Sequence, residues 1–147
     1  MNILFITRLY PSDCYDNQQT GMGHYICREW VKAGHSVQVI HEDMRFNKRW
    51  SPVERALADT RRFTLEDVPV SFIKINRPFP GWRYLPGSEA KKAERFICEE
   101  VKRWGKKPDV IFAFFCCATI SILWSTFEIT SVRFTRVNSI SSVPNSI

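Results

Sequence analysis

One βαβ pattern near the N-terminus constrains the fold more than any other feature of the chain. Residues 3–6 form a short apolar run, which is typical of a buried parallel strand. A helix is predicted to begin at Gly21, after a long polar loop, and to end at Gly34, where a left-handed residue is favoured. The predicted helix carries three apolar residues on one face: Met22, Ile26 and Trp30. Residues 37–40 form the next strand, so the loop before Gly21 lies where α/β sheets bind ligands.

A second group of predicted elements extends this unit. Residues 51–54 form a capping box with proline at the first helical position, which predicts a short helix to about Arg62. Residues 70–75 predict a third strand, and Ser88 is expected to cap a long helix. Residues 109–115 are apolar throughout, which predicts a strand that is covered on both faces in the middle of the sheet.

The order of these elements predicts the fold class. After residue 118 the pattern weakens, with helical spacing within residues 120–127 and a fifth strand over residues 131–137. We therefore predict an α/β protein with a Rossmann-like, doubly wound parallel sheet in three α/β/α layers and right-handed crossovers. This domain is expected to span residues 1–138, followed by a disordered tail over residues 139–147.

The charge balance and the cysteines limit the classes of partner. The 21 basic and 15 acidic residues give a formal net charge of +6, which favours sugar phosphates, nucleotides or a lipid surface. The excess is too mild and dispersed to predict nucleic-acid binding. Five cysteines without the regular spacing of a disulfide framework indicate a reducing cytosol. A metal site is not predicted, because no closely spaced pair of ligand residues has histidine partners. We expect a cytoplasmic protein, with peripheral contact at the inner membrane face as the open alternative.

The start of the first helix, at Gly21, Gly23 and His24, is the main candidate for binding. A dinucleotide fingerprint requires a third glycine where Ile26 stands, and it follows a much tighter turn than the loop found here. No Gly-Lys-Ser/Thr follows, which excludes a P-loop. Two glycines at a helix N-terminus favour close approach of an anionic group, such as a phosphate. Glycines that serve helix packing, with His24 as an ordinary surface residue, are the alternative interpretation.

The segments after the second and third strands offer further binding candidates. Arg45 and Arg49 lie in a basic stretch that we interpret as solvated surface, with a patch for an anionic acceptor or anionic lipid as the alternative. Trp82 and Tyr84 follow in a loop rich in proline and glycine, where they could stack on a sugar or nucleobase. Such aromatic residues more often fix a loop to the domain surface.

Several of these motifs resemble the start of a family-4-type (group 1) glycosyltransferase of GT-B fold. The similar residues are Asn2-Ile3-Leu4-Phe5-Ile6-Thr7, Tyr10-Pro11, Gly21-x-Gly23-His24-Tyr25 and the run from Lys32 to Ile40. The turn Gly34-His35-x-Val37 is the most specific of them. Residues 107–111 resemble that family's Pro-Asp-Val-Ile strand, and residues 131–138 resemble its fifth strand. The resemblance covers most of the chain and is weakest after Phe115.

This resemblance implies retaining transfer of a sugar from a nucleotide-sugar donor to a glycan, lipid or small acceptor, without a cofactor or metal. In that family the N-terminal domain holds the acceptor, and its glycine loop, here Gly21 and Gly23, approaches the donor diphosphate. The C-terminal domain binds the nucleotide sugar, and we expect this chain to lack it. The resemblance therefore implies an incomplete GT-B N-terminal domain, inactive alone, that depends on a second domain or a full-length transferase.

Two departures from the family and two other hypotheses stay open. Phe112 and Phe114 stand where the family often has histidines, and Asn138 aligns with a position where a catalytic histidine is common.

A non-catalytic half-domain that binds and regulates a full transferase would explain the same motifs. A nucleotide-binding Rossmann protein is the third hypothesis, because Glu42 or Asp43 lies near the distance expected of a ribose-binding acid.

Overall fold

A computed structural model describes residues 1–11, 21–43, 58–75 and 87–114 of the chain. These residues form five strands and two helices. The strands are β1 (Asn2–Thr7), β2 (Ser36–Asp43), β3 (Thr60–Leu65), β4 (Val68–Lys74) and β5 (Val110–Phe114). The helices are α1 (Met22–Lys32) and α2 (Gly87–Trp104). The α/β class predicted from the sequence is confirmed.

The five strands form one mixed sheet in the order β3-β4-β2-β1-β5. β1 pairs in parallel with β2 on one side and with β5 on the other, so that Ile6 lies opposite both Ile40 and Ala113. β4 continues the parallel part beside β2. In the described sheet β5 is the last strand rather than an interior one, although its apolar sequence predicts a place in the middle.

The antiparallel pairing of β3 with β4 corrects two predictions, the wholly parallel sheet and the helix that continues to Arg62. Glu66 and Asp67, between the two strands, both have positive φ angles, of 45° and 66°. Two such residues make the tight turn that returns a chain as a hairpin. Exposure alternates along β3 from Thr60 to Leu65, which is the period of a strand with one covered face.

The two helices cover opposite faces of the sheet. Because side chains alternate between the faces along each strand, each helix meets a different set of strand residues. One face packs against α2 and forms a buried cluster that includes Leu4, Ile6, Ile40, Ile73, Phe96, Ile97 and Ile111. The other face packs against α1 and forms a second cluster that includes Ile3, Phe5, Tyr10, Cys27, Val37, Val39 and Val70. The core therefore lies in two layers, one on each side of the sheet.

Residues distant in sequence join at the amino edge of the sheet. The Asn2 backbone amide donates to Asp109 Oδ2 at 2.7 Å, across 107 residues, and Asn2 Nδ2 donates to the carbonyl of Lys107 at 3.1 Å. The Asp109 amide in turn donates to the carbonyl of Asn2 at 2.8 Å. The start of β1 is thus fixed to the residues that immediately precede β5.

Helix α1 ends as predicted but presents a different face to the core. Gly34 has a φ of +84°, the left-handed conformation that a residue after a helix often needs. The buried residues of α1 are Gly23, His24 and Cys27, whereas Met22 and Ile26 are 58% and 39% exposed. Spacing alone misassigned Met22 and Ile26, because the helix packs through a glycine and a hydrogen-bonded histidine. Trp30, the third residue of the predicted face, does pack against the core.

The remaining predicted elements lie outside the described residues. They are the capping box at 51–54, the loop with Trp82 and Tyr84, the segments 120–127 and 131–137, and the tail at 139–147. Neither of the two described helices combines the length and apolar character needed to cross a membrane.

Candidate binding site at the carboxyl edge of the sheet

The strand order creates a candidate binding position at the carboxyl edge, between β1 and β5. From β1 the chain passes through α1 to β2 on one side, and later through α2 to β5 on the other side. Where successive connections leave a central strand in opposite directions, the loops separate and leave a crevice, and α/β proteins bind ligands there. Thr7 and Phe114 are opposite each other in the register, so the carboxyl ends of both strands lie together at this edge.

The N-terminus of α1 supplies the electrostatic character of this edge. Gly21 is the residue before the first helical turn and makes no side-chain capping bond. No acidic residue lies in that first turn, and the amide of Tyr25 makes the helical bond to the carbonyl of Gly21 at 2.9 Å. Helix N-termini present amide N–H groups without helical partners and the positive end of the helix dipole. This arrangement favours an oxyanion.

Gly23 allows α1 to begin close to β1. A Cβ atom at this buried position would lie 3.2 Å from Cε1 and 3.3 Å from Cζ of Phe5 in β1, which is tighter than ordinary contact. At Gly21 a Cβ would meet only the ring of Tyr25, at 3.1 Å, and that ring is 58% exposed. Helix packing thus explains a glycine at position 23 without a ligand, because it allows the start of α1 to lie close to Phe5.

His24 lies inside the protein rather than on its surface. It is 5% exposed, and its Nδ1 lies 2.9 Å from the hydroxyl of Tyr10, in a T-shaped ring contact. Its Nε2 lies 3.4 Å from Oε2 of Glu66, the same oxygen that accepts a 2.7 Å hydrogen bond from Arg28. Both ring nitrogens of His24 therefore face protein groups, and the ring fixes the start of α1 to the β3–β4 turn.

Tyr10 and Cys27 complete this buried polar cluster without offering an activated nucleophile. Both side chains are fully buried and hydrogen bond to each other. Burial, followed by the neighbouring Cys27 and Glu66, raises the pKa of Tyr10 well above its usual value. Burial likewise raises the pKa of the Cys27 thiol to about 12, although the bond with Tyr10 opposes this shift. A thiol of that pKa is not nucleophilic near neutral pH.

The end of β2 contributes three buried polar residues, His41, Glu42 and Asp43, with exposures of 0%, 0% and 1%. Nε2 of His41 lies 3.3 Å from the carbonyl oxygen of Arg8, and its ring meets Phe72 edge-on at 5.3 Å between centroids. The ring of His41 is therefore enclosed and does not face solvent at this edge. Glu42 and Asp43 lie at the correct strand end for ribose contact but inside the fold.

Sequence reasoning identified some of this site and missed the rest. Gly21, Gly23 and His24 lie together at the predicted helix start, whereas Arg45, Arg49, Trp82, Tyr84 and Asn138 lie outside the described residues. The sequence interpretation missed Tyr10, Cys27 and Glu66 as members of the cluster. Cys27 follows Gly23 by four residues and so shares its helix face, a spacing that could have identified it. Glu66 reaches α1 only through the hairpin.

The chemistry of the described edge is that of a binding surface. Within residues 1–11, 21–43, 58–75 and 87–114, no three His, Cys, Asp or Glu side chains are arranged to hold a metal ion. The described groups can attract an oxyanion through the N-terminus of α1.

In comparisons with known proteins, no family model matches the chain and no curated protein matches it significantly.

Proposed function

We propose that this chain is the acceptor-side, Rossmann-like N-terminal domain of a retaining glycosyltransferase of GT-B fold. In this role it forms one wall of a cleft in which a sugar passes from a nucleotide donor to a glycan, lipid or small acceptor. A second domain, in the same polypeptide or on a partner, holds the nucleotide. The reaction needs no metal from this wall.

The observation that supports this proposal most is the N-terminus of α1, where Gly21 makes no side-chain capping bond and His24 hydrogen bonds to Tyr10, just after the end of β1. Phosphates of a donor that approaches this end of the helix would meet the amide N–H groups of its first turn and the positive end of the helix dipole. The close contact of Gly23 with Phe5 positions that helix start. The nearby Cys27 and Tyr10 hold raised pKa values, which agrees with a wall that binds and does not itself attack.

A second observation favours the alternative of a non-catalytic half-domain that pairs with a full transferase. Met22, Tyr25 and Ile26 leave an apolar stripe exposed on the outer side of α1, at 58%, 58% and 39%. Apolar surface beside a ligand edge is often covered by another domain or protein. Both hypotheses place a second protein unit there. They differ in whether sugar transfer requires this chain.

The binding test compares Gly21→Asp with Gly21→Asn in the full chain by amide NMR titration with a nucleoside diphosphate and a nucleotide sugar. We expect weak binding, with a Kd of about 1 mM or higher, and shifts concentrated at residues 22–24. A carboxylate at the helix start should weaken binding about fivefold, the equivalent of about 1 kcal/mol, whereas the neutral Asn control should change it less than about twofold.

Three outcomes would overturn parts of the proposal. Absence of shifts at residues 22–24 would remove the phosphate site from α1. Release of nucleotide from a nucleotide sugar by the purified chain would show a self-sufficient enzyme and refute the single-wall role. Saturable micromolar binding of NAD or NADP in calorimetry would instead support the third hypothesis, a nucleotide-binding Rossmann protein.

A further inference from the structure

A buried carboxylate lies under α2, on the face of the sheet opposite α1. The side chain of Glu100 is only 2% exposed, within an otherwise apolar helix–sheet interface. Ser71 donates to its Oε2 at 2.6 Å, and Gln38 donates to Ser71 Oγ at 3.0 Å. Burial by itself would raise the pKa of Glu100, but the hydrogen bonds from Arg62 and Ser71 outweigh it and hold the pKa below its usual value. Glu100 is therefore a fixed anion at neutral pH.

Two arginines converge on this anion from the surface. Arg62 of β3 donates through Nε to both oxygens of Glu100, at 3.0 and 2.9 Å, and through a terminal nitrogen to Oε1. Nε of Arg103 lies 3.6 Å from the same Oε1. The side chains of Arg62 and Arg103 are nevertheless 44% and 64% exposed. One buried carboxylate thus holds the guanidinium group of Arg62 by hydrogen bonds and lies near that of Arg103, and the three side chains together carry one net positive charge.

These groups line a pocket of about 430 Å³ between β3, β4 and the last turns of α2. Its walls include Arg62, Thr64, Ser71, Arg103 and the half-buried ring of Trp104. Its volume is in the range of small-molecule sites. Because it lies on the α2 face, toward the amino ends of β2 and β4, it is separate from the edge at the start of α1.

We propose that this pocket binds the phosphate or carboxylate group of a small ring-bearing acid, with the oxyanion on Arg62 and Arg103 and the ring against Trp104. Guanidinium groups recognise such oxyanions through paired N–H donors, and the buried Glu100 holds Arg62 in place before the ligand arrives. The indole supplies a flat apolar surface beside the charged groups. This inference does not depend on the function proposed for the carboxyl edge.

The probes are phenyl phosphate, benzoate, inorganic phosphate and phenol, titrated into the full chain and followed through the Trp104 indole and arginine Nε signals by NMR. Phenyl phosphate should bind most tightly, phosphate and benzoate more weakly, and phenol not measurably. A higher affinity for benzoate than for phenyl phosphate would instead show that the pocket prefers a carboxylate to a phosphate. Arg103→Gln should weaken phenyl phosphate binding at least about tenfold, and it leaves Arg62 to pair the buried Glu100.

Two further variants separate a specific pocket from general surface charge. Lys102→Gln removes the same charge from an exposed neighbour on α2 that does not line the pocket, and should change the affinity less than about twofold. Trp104→Leu should reduce phenyl phosphate binding to the level of inorganic phosphate. Equal losses in Arg103→Gln and Lys102→Gln, or no saturation up to about 20 mM phenyl phosphate, would overturn the proposal. Shifts confined to the start of α1 would do the same.

Discussion

Replacement of Glu100 by Gln should lower the free energy of unfolding through one identifiable ion pair. The substitution keeps the shape of the side chain and removes the charge that Arg62 and Ser71 stabilise. Breaking a fully buried pair costs about 3–5 kcal/mol. Since the Arg62 side chain is 44% exposed, water can solvate its guanidinium again, and we expect a loss of about 2–3 kcal/mol.

The assay is urea denaturation followed by circular dichroism at pH 7, on single variants and the double variant. Glu99→Gln is the matched control, because it removes the same charge from the exposed neighbouring residue and should cost less than about 0.5 kcal/mol. The double-mutant cycle formed by Glu100→Gln and Arg62→Gln should show a coupling free energy of about 1–2 kcal/mol between the two side chains. A Glu100→Gln protein as stable as the Glu99→Gln control, or a coupling near zero, would refute the reasoning.

The pH dependence gives the same prediction an independent check. The folded-state pKa of Glu100 lies below its usual value of 4.5, so its contribution is fully present above pH 4.5. The contribution is lost as the pH falls below 4.5 and through the lower folded-state value. The stability difference between the native chain and Glu100→Gln should therefore be constant from about pH 7 to 5 and shrink in stronger acid. A difference that grows as the pH falls would contradict the assigned sign.

Two further predictions concern α1. Gly23→Ala should destabilise the fold by about 0.5–2 kcal/mol in urea denaturation, because the clash with the ring of Phe5 exceeds the better helix propensity of alanine. Gly87→Ala, where an added Cβ meets no atom of the described residues within 4 Å, should not destabilise; equal effects at both glycines would exclude the clash as the cause. Cys27 should resist iodoacetamide at pH 8 in the native chain and react only after unfolding, since its pKa is about 12 and it is fully buried. Peptide mapping by mass spectrometry would show this, and rapid native labelling would contradict the burial.

The sequence predicted much of the described fold because the strands and helices have strong local patterns. A single sequence shows the apolar runs of β1, β2 and β5. It also shows Gly34 after a predicted helix, and this residue has the expected positive φ. β3 was missed because Arg61 and Arg62 give it the polar appearance of a surface segment. Its hairpin turn is made by Glu66 and Asp67, not by the Asn-Gly or Asp-Gly pairs that usually indicate such turns.

The candidate sites were harder to predict, since their groups meet only after folding. Local spacing places His24 at a helix start but cannot reveal that Tyr10 and Glu66 enclose it from two other elements. Arg62 and Glu100 are 38 residues apart in sequence, and their pairing depends on the antiparallel return of β3. A buried acid on a helix is also unusual. It could not be expected from the sequence, because the opposing cation lies on β3, a strand that was itself not predicted.

The place of β1 between β2 and β5 has a consequence for synthesis on the ribosome. β1 leaves the ribosome before the other described strands, yet one of its two neighbours, β5, begins at residue 110. At about 5–20 residues per second, the nascent chain carries that unpaired apolar edge for roughly 5–20 s. An unpaired strand edge of this kind is prone to wrong pairing until its partner arrives. Chaperone binding to nascent chains that end before β5 would be the cellular sign of this delay.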